Sequence, residues 1–92
     1  MVEKTVTVVN ELGMHARAAA KFVHVANGFS SRIRVSRHGR AMDGKSIMGL
    51  LLLAAARGSI IAIAADGPDE QAAVDALAQL VSEGFGEGAC NV

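Results

Sequence analysis

His15 and Arg17 stand two residues apart behind a glycine, in the stretch Gly13-Met14-His15-Ala16-Arg17-Ala18-Ala19-Ala20-Lys21-Phe22. An imidazole is a nucleophile near neutral pH, and a guanidinium is a planar donor fork that suits phosphate oxygens. Gly13 supplies the freedom of a tight turn, and the alanines that follow begin a run of strong helix formers. The spacing therefore predicts His15 at the N-terminus of a helix. The first N–H groups of a helix lack intrahelical acceptors and carry about half a positive charge between them, a ready place for an anion. That positive end also favours the neutral ring, whose lone pair can attack. The chemistry indicated is acceptance of a phosphoryl group by His15 with Arg17 beside it. An isolated His-x-Arg is more often a polar cap next to a surface arginine, so the rest of the chain has to decide.

Ser46 is the second candidate. It precedes the apolar run of residues 47–56, and its hydroxyl can cap the helix that this run predicts. That helix is apolar nearly all round, which a small domain cannot bury entirely. Ile47, Met48 and Leu51 are the expected exposed contact patch, the alternative being a buried helix. Lys21 and His24 share a face of the first helix with Arg17, forming a short cationic ridge that is either a docking surface or an ordinary solvated side. His15, His24, His38 and Cys90 match no compact metal-ligand spacing, so no metal or other cofactor is expected.

The elements that position these residues follow from periodicity. Val2, Lys4, Val6 and Val8 alternate with Glu3, Thr5 and Thr7 as a strand with one buried face, ended by residues 10–13. Ala19, Phe22, Val23 and Ala26 form the core stripe of the first helix, closed by Asn27-Gly28. Ser31, Ile33 and Val35 alternate with Arg32, Arg34 and Ser36 as a second strand with a basic outer face. His38-Gly39 turns it into a short third strand over residues 40–43. Arg32, Arg34, Arg37 and Arg40 read as charges that protect an exposed face and edge from aggregation. Residues 59–65 predict a well-buried fourth strand, and Asp66-Gly67-Pro68 a turn. A third helix starts at Asp69, with Ala73, Val74, Leu77, Leu80 and Val81 inward, and stops at Gly84. Residues 1–85 are thus one domain, followed by a flexible Gly-rich tail over 86–92 that Phe85 anchors.

Composition narrows the function classes. The 92 residues are 51% hydrophobic and 20% charged, with zero formal net charge, which suits one small globular domain. No Trp or Tyr and only three Phe leave no stacking platform for single-stranded nucleic acid. No apolar run is long enough to cross a bilayer and no leader pattern opens the chain. A single cysteine fits a reducing compartment, so a cytoplasmic protein is expected. The zero net charge conceals an asymmetry: residues 1–57 hold all nine Lys and Arg against three acids, leaving +6, and residues 58–92 are −6. A basic field around His15 would steer acidic or phosphorylated partners towards it, unless folding interleaves the charges.

Two motifs, Leu12-Gly13-Met14-His15-Ala16-Arg17 and Lys45-Ser46-Ile47-Met48-Gly49, together with the element order over residues 2–85, resemble the HPr family of the bacterial phosphoenolpyruvate-dependent phosphotransferase system. The resemblance implies an α+β open-faced β-sandwich, a four-stranded antiparallel sheet with three helices on one face in the order β-α-β-β-α-β-α. It implies a phosphocarrier rather than an enzyme. His15 would take phosphate on Nδ1 from phospho-enzyme I and pass it to EIIA-type acceptors, with Arg17 balancing charge. Ser46 would match a regulatory serine that HPr kinase/phosphorylase modifies in some bacteria. A monomer is expected. The family usually has proline after the arginine, where this chain has Ala18; both suit a first helical turn, so altered rigidity is expected rather than lost function. The alternative is a nitrogen-branch or regulatory paralogue acting mainly as a protein-binding module. Two readings do without the His15 and Arg17 pair: a regulatory module in which phosphorylated Ser46 matters and His15 does not, and an adaptor that uses the apolar second helix.

Overall fold

The computed structural model describes residues 1–86. Its elements in chain order are β1 (Val2–Thr7), α1 (Ala16–Ala26), β2 (Arg32–Arg37), β3 (Arg40–Asp43), α2 (Ile47–Leu52), β4 (Ile60–Asp66) and α3 (Glu70–Ser82), closed by a 3-10 turn at Gly84–Gly86. The four strands form one antiparallel sheet in the order β1-β4-β2-β3. This is the α+β open-faced sandwich expected, with three helices covering one face.

Alternation explains which face is covered. Ile33 and Val35 of β2 pair with Ala65 and Ile63 of β4, and all four are buried beneath Phe22, Leu50, Val74 and Leu77 from the helices. Between them Arg32 and Arg34 face outward and are exposed. The fourth strand is less buried than the expected well-buried strand. Ile61, Ile63 and Ala65 are inside, but Ile60 lies exposed, because its parity puts it on the open face of the sheet. In β1, Val2 and Val6 pack against the core, while Lys4 on the same side reaches Asp75 of α3 at 3.5 Å. The expected stripe of α1 is buried, and Ala18 is buried with it.

The side chain of Asp69, the N-cap of α3, makes no bond to its own helix. Its carboxylate instead accepts the N–H groups of Ser30 and Ser31 at 2.8 and 2.9 Å and the buried Ser31 hydroxyl. The Ser31 hydroxyl, then the Ser30 amide, hold this carboxyl below its ordinary range. The start of α3 is thereby fastened to the start of β2.

The second helix is shorter than the apolar run predicts, ending at Leu52 and not at residue 56. The last turn tightens, with Leu53 and Ala54 donating to the carbonyls three residues back at 3.2 and 3.1 Å. Ala54 then adopts φ 52°, and Arg37 from β2 donates to the Leu53 carbonyl at 2.9 Å. A left-handed residue and a side chain from another element therefore stop the helix where sequence composition alone would continue it. At the other end of the chain, Phe85 is buried and Gly86 ends the 3-10 turn. The remainder of the expected tail, with Cys90, lies outside the described residues. Among those described, no helix is long and apolar enough to cross a membrane.

Candidate functional site

His15 is the N-cap of α1. Its backbone is extended (φ −79°, ψ 179°), and its Nδ1 accepts the Arg17 N–H at 3.2 Å. A neutral imidazole that accepts at Nδ1 carries its proton on Nε2, so the in-plane lone pair of Nδ1 faces the positive end of the helix. The ring is half-buried and Arg17 beside it is exposed. No acid occupies the first turn of α1, so nothing there offsets the positive end of the helix.

The loop before His15 is held by backbone contacts. Gly13 donates to the Asn10 carbonyl at 3.1 Å, Met14 donates to the Ala55 carbonyl at 2.8 Å, and His15 donates to the Gly13 carbonyl at 2.9 Å. The buried Asn10 side chain donates through Nδ2 to the same Gly13 carbonyl at 2.8 Å. Gly13 has φ 69°, and a Cβ on it would meet the Ala55 carbonyl oxygen at 2.6 Å and Ala56 Cα at 2.9 Å. Only glycine fits both the dihedral and the space. The Met14 side chain plugs the core beneath. The segment after α2 thus serves as a wall for the loop that carries His15.

Ser46 is the N-cap of α2, and its Oγ accepts the Gly49 N–H at 3.0 Å. The preceding Lys45 is held twice, its N–H by Asp43 at 2.9 Å and its Nζ by the Phe29 carbonyl at 2.8 Å. Six helical residues put the two ends of α2 about 9 Å apart. His15 lies towards the far end, where residues 55–56 touch its loop, and Ser46 marks the near end.

The predicted contact residues divide. Ile47 and Met48 are exposed at 42% and 68%, and Leu52 is exposed at 53%. Leu51 is half-buried and packs against the core, so Leu52 takes its place in the patch; the phase of so short a helix was not legible from an unbroken apolar run. Leu12, in the His15 loop, is exposed at 70% and was also missed. Of the cationic ridge, Arg17 and His24 are exposed, but Lys21 is half-buried and donates to the Phe85 carbonyl at 2.8 Å. That lysine joins α1 to the C-terminal turn. Asn10 and Ala55 also escaped sequence reading. An asparagine three residues before a glycine does signal a turn whose side chain can bond backbone, whereas nothing in an alanine run marks one carbonyl as an acceptor.

Residues 2–83 match the family model of the PTS HPr component phosphorylation site. The chain belongs to the HPr family. Its HPr relatives include the phosphocarrier protein HPr of Cupriavidus necator, 50% identical over 88 residues that cover 96% of this chain and 99% of that one. The fold is shared with HPr-C-His from Thermoanaerobacter tengcongensis, with a TM-score of 0.92, 41% identity, and coverage of 96% and 99% of the two chains. An HPr dimer from the same organism is similar with a TM-score of 0.75 and 41% identity, covering 95% of this chain and 100% of that one. HPr proteins of the phosphotransferase system are phosphocarriers rather than enzymes.

Proposed function

We propose that this chain carries a phosphoryl group on His15 Nδ1, received from phospho-enzyme I and delivered to EIIA-type acceptors. The observation that supports this reading most is the hydrogen bond from the Arg17 amide to Nδ1, which leaves the nucleophilic lone pair on the nitrogen at the helix N-terminus. The lone pair of Nδ1 attacks phosphorus, and the bond from phosphorus to the donor breaks with its electron pair returning to the donor. The new bond occupies the lone pair, so the Arg17 amide is released to a phosphoryl oxygen at the same helix end. The exposed Arg17 guanidinium offsets the charge of the group in both transfers. Transfer onward runs the same displacement in reverse. The carrier acts as a cytoplasmic monomer, without cofactor, nucleic acid or membrane surface.

Ser46 is proposed as a regulatory site for an ATP-dependent kinase such as HPr kinase/phosphorylase. A phosphate there adds about two negative charges at a helix N-terminus, which the fold tolerates, and beside Ile47 and Met48, where charge opposes docking of enzyme I. His24 and Leu52 complete the proposed docking surface. A purely regulatory paralogue would share the Ser46 cap but has no use for the His15 geometry.

Incubation with phosphoenolpyruvate and enzyme I, followed by mapping of the phosphorylated residue, tests the reading. The label is expected on His15, labile in acid as a phosphorus–nitrogen bond is, absent in His15→Ala and slower to transfer both ways in Arg17→Ala. Full labelling of His15→Ala, or an acid-stable label, refutes it.

A further inference from the structure

We propose that Asn10 is a positioning residue for His15, an inference that rests on the phosphocarrier reading above. Its amide and its backbone grip Gly13 from both sides: Nδ2 donates to the Gly13 carbonyl at 2.8 Å, and the Asn10 carbonyl accepts the Gly13 N–H at 3.1 Å. The Gly13 carbonyl belongs to the same peptide plane as the Met14 N–H, which donates to the Ala55 carbonyl at 2.8 Å. That plane is therefore clamped at both ends, by Asn10 on one side and by the segment after α2 on the other. It leads directly into His15, whose own N–H also closes on the Gly13 carbonyl at 2.9 Å.

A peptide plane held at one end can still tip about the other. Without the Asn10 donor, the Gly13 carbonyl keeps only the His15 N–H two residues on, a contact that moves with the loop, so the plane can tip about its Ala55 anchor and carry His15 with it. The bond from the Arg17 amide to Nδ1 is already long at 3.2 Å and does not survive a large rotation. Asn10 is itself fixed, since its side chain is buried and Gly84 of the C-terminal turn lies against it, where an added Cβ would stand 3.4 Å from Asn10 Cβ. Misplacement of a reacting atom by about 1 Å can slow a reaction by about a hundredfold, so a positioning role has room to matter.

The test uses the full chain with Asn10→Ala, the isosteric Asn10→Asp, which lacks the N–H donor, and Ser31→Ala as a control that loses a buried hydrogen bond far from His15. The first readout is the amide proton shift of Arg17, which follows the protonation of the ring through the hydrogen bond to Nδ1. Its amplitude across the titration should fall by about half or more in both Asn10 variants and stay unchanged in Ser31→Ala. The second is phosphoryl transfer from phospho-enzyme I, where kcat should fall about tenfold with KM for enzyme I unchanged. An undiminished Arg17 amplitude in the Asn10 variants, or an equal loss in Ser31→Ala, overturns the proposal. Wild-type protein that accepts no phosphoryl group refutes the phosphocarrier reading instead, and the Arg17 amplitude still decides whether Asn10 holds the ring.

Discussion

Gly13→Ala is the perturbation that most directly tests whether the wall behind His15 is rigid. Two costs arise at this site. A left-handed backbone (φ 69°) costs an L-residue about 1–2 kcal/mol, partly offset by about 0.4–1 kcal/mol from a less flexible unfolded chain. In addition, the new methyl meets the Ala55 carbonyl oxygen at 2.6 Å, a backbone atom that cannot swing aside, and such overpacking costs about 1–3 kcal/mol. The total is about 2–4 kcal/mol, short of the roughly 5–14 kcal/mol expected for a chain this long, so the variant still folds. Gly58→Ala is the internal reference. Gly58 also has positive φ, 90°, but nothing lies within 4 Å of its added Cβ, so only the backbone term applies, about 1 kcal/mol. The difference of about 2 kcal/mol should shift the urea midpoint by about 1–2 M. Far-UV circular dichroism is the probe, since the chain has no Trp or Tyr. Phosphoryl acceptance by His15 should drop in Gly13→Ala and hold in Gly58→Ala. Equal midpoints for the two variants, or full acceptance by Gly13→Ala, refutes the view that the loop and the segment after α2 form one rigid unit.

Two further outcomes follow from the caps. Ser46→Ala loses the bond to the Gly49 N–H and should cost about 1 kcal/mol while leaving transfer nearly unchanged, whereas Ser46→Asp should keep thermal stability near wild type and slow phosphorylation of His15 by enzyme I. Melting temperatures and enzyme I kinetics on the three proteins check this, and equal transfer rates for Ser46→Asp and wild type exclude the docking patch. Asp69 and Glu70 both titrate below their ordinary range, through the Ser31 hydroxyl and the Gly67 N–H respectively, so their contribution is present above about pH 4 and is lost as pH falls through the depressed folded values. Asp69→Asn should therefore be less stable than wild type at pH 7, with the gap narrowing towards pH 2 in denaturant titrations; a gap that stays constant with pH contradicts the assignment.

The N-cap position of His15 was legible because a glycine, a polar residue and a helix-forming run stand in that order, and local chemistry alone sets such a start. The first two strands were legible from alternation, since a one-sided sheet writes its buried face into every second residue, whereas the third was read from the turn before it and the fourth from an apolar run. What stayed hidden was decided by distant partners. The end of α2 depends on Arg37 reaching the Leu53 carbonyl from β2, and Lys21 left the solvent ridge for a carbonyl 64 residues away. The exchange of Leu51 for Leu52 has a related cause: periodicity needs polar residues to show a phase, and residues 47–56 contain none. Ile60 was misread because an apolar run looks the same whether one or both faces of a strand are covered.

The wall supplied by Ala55 gives the order of synthesis a meaning. A nascent chain that has emerged only through α1 and β2 already carries His15 and Arg17, but not the carbonyl that seats Met14, nor the Gly84 and Phe85 turn that backs Asn10 and receives Lys21. β1 likewise waits for β4, the strand it pairs with among the described residues. The histidine is thus made early and seated late, so a partner that recognises its seated form discriminates finished molecules from unfinished ones without any separate check.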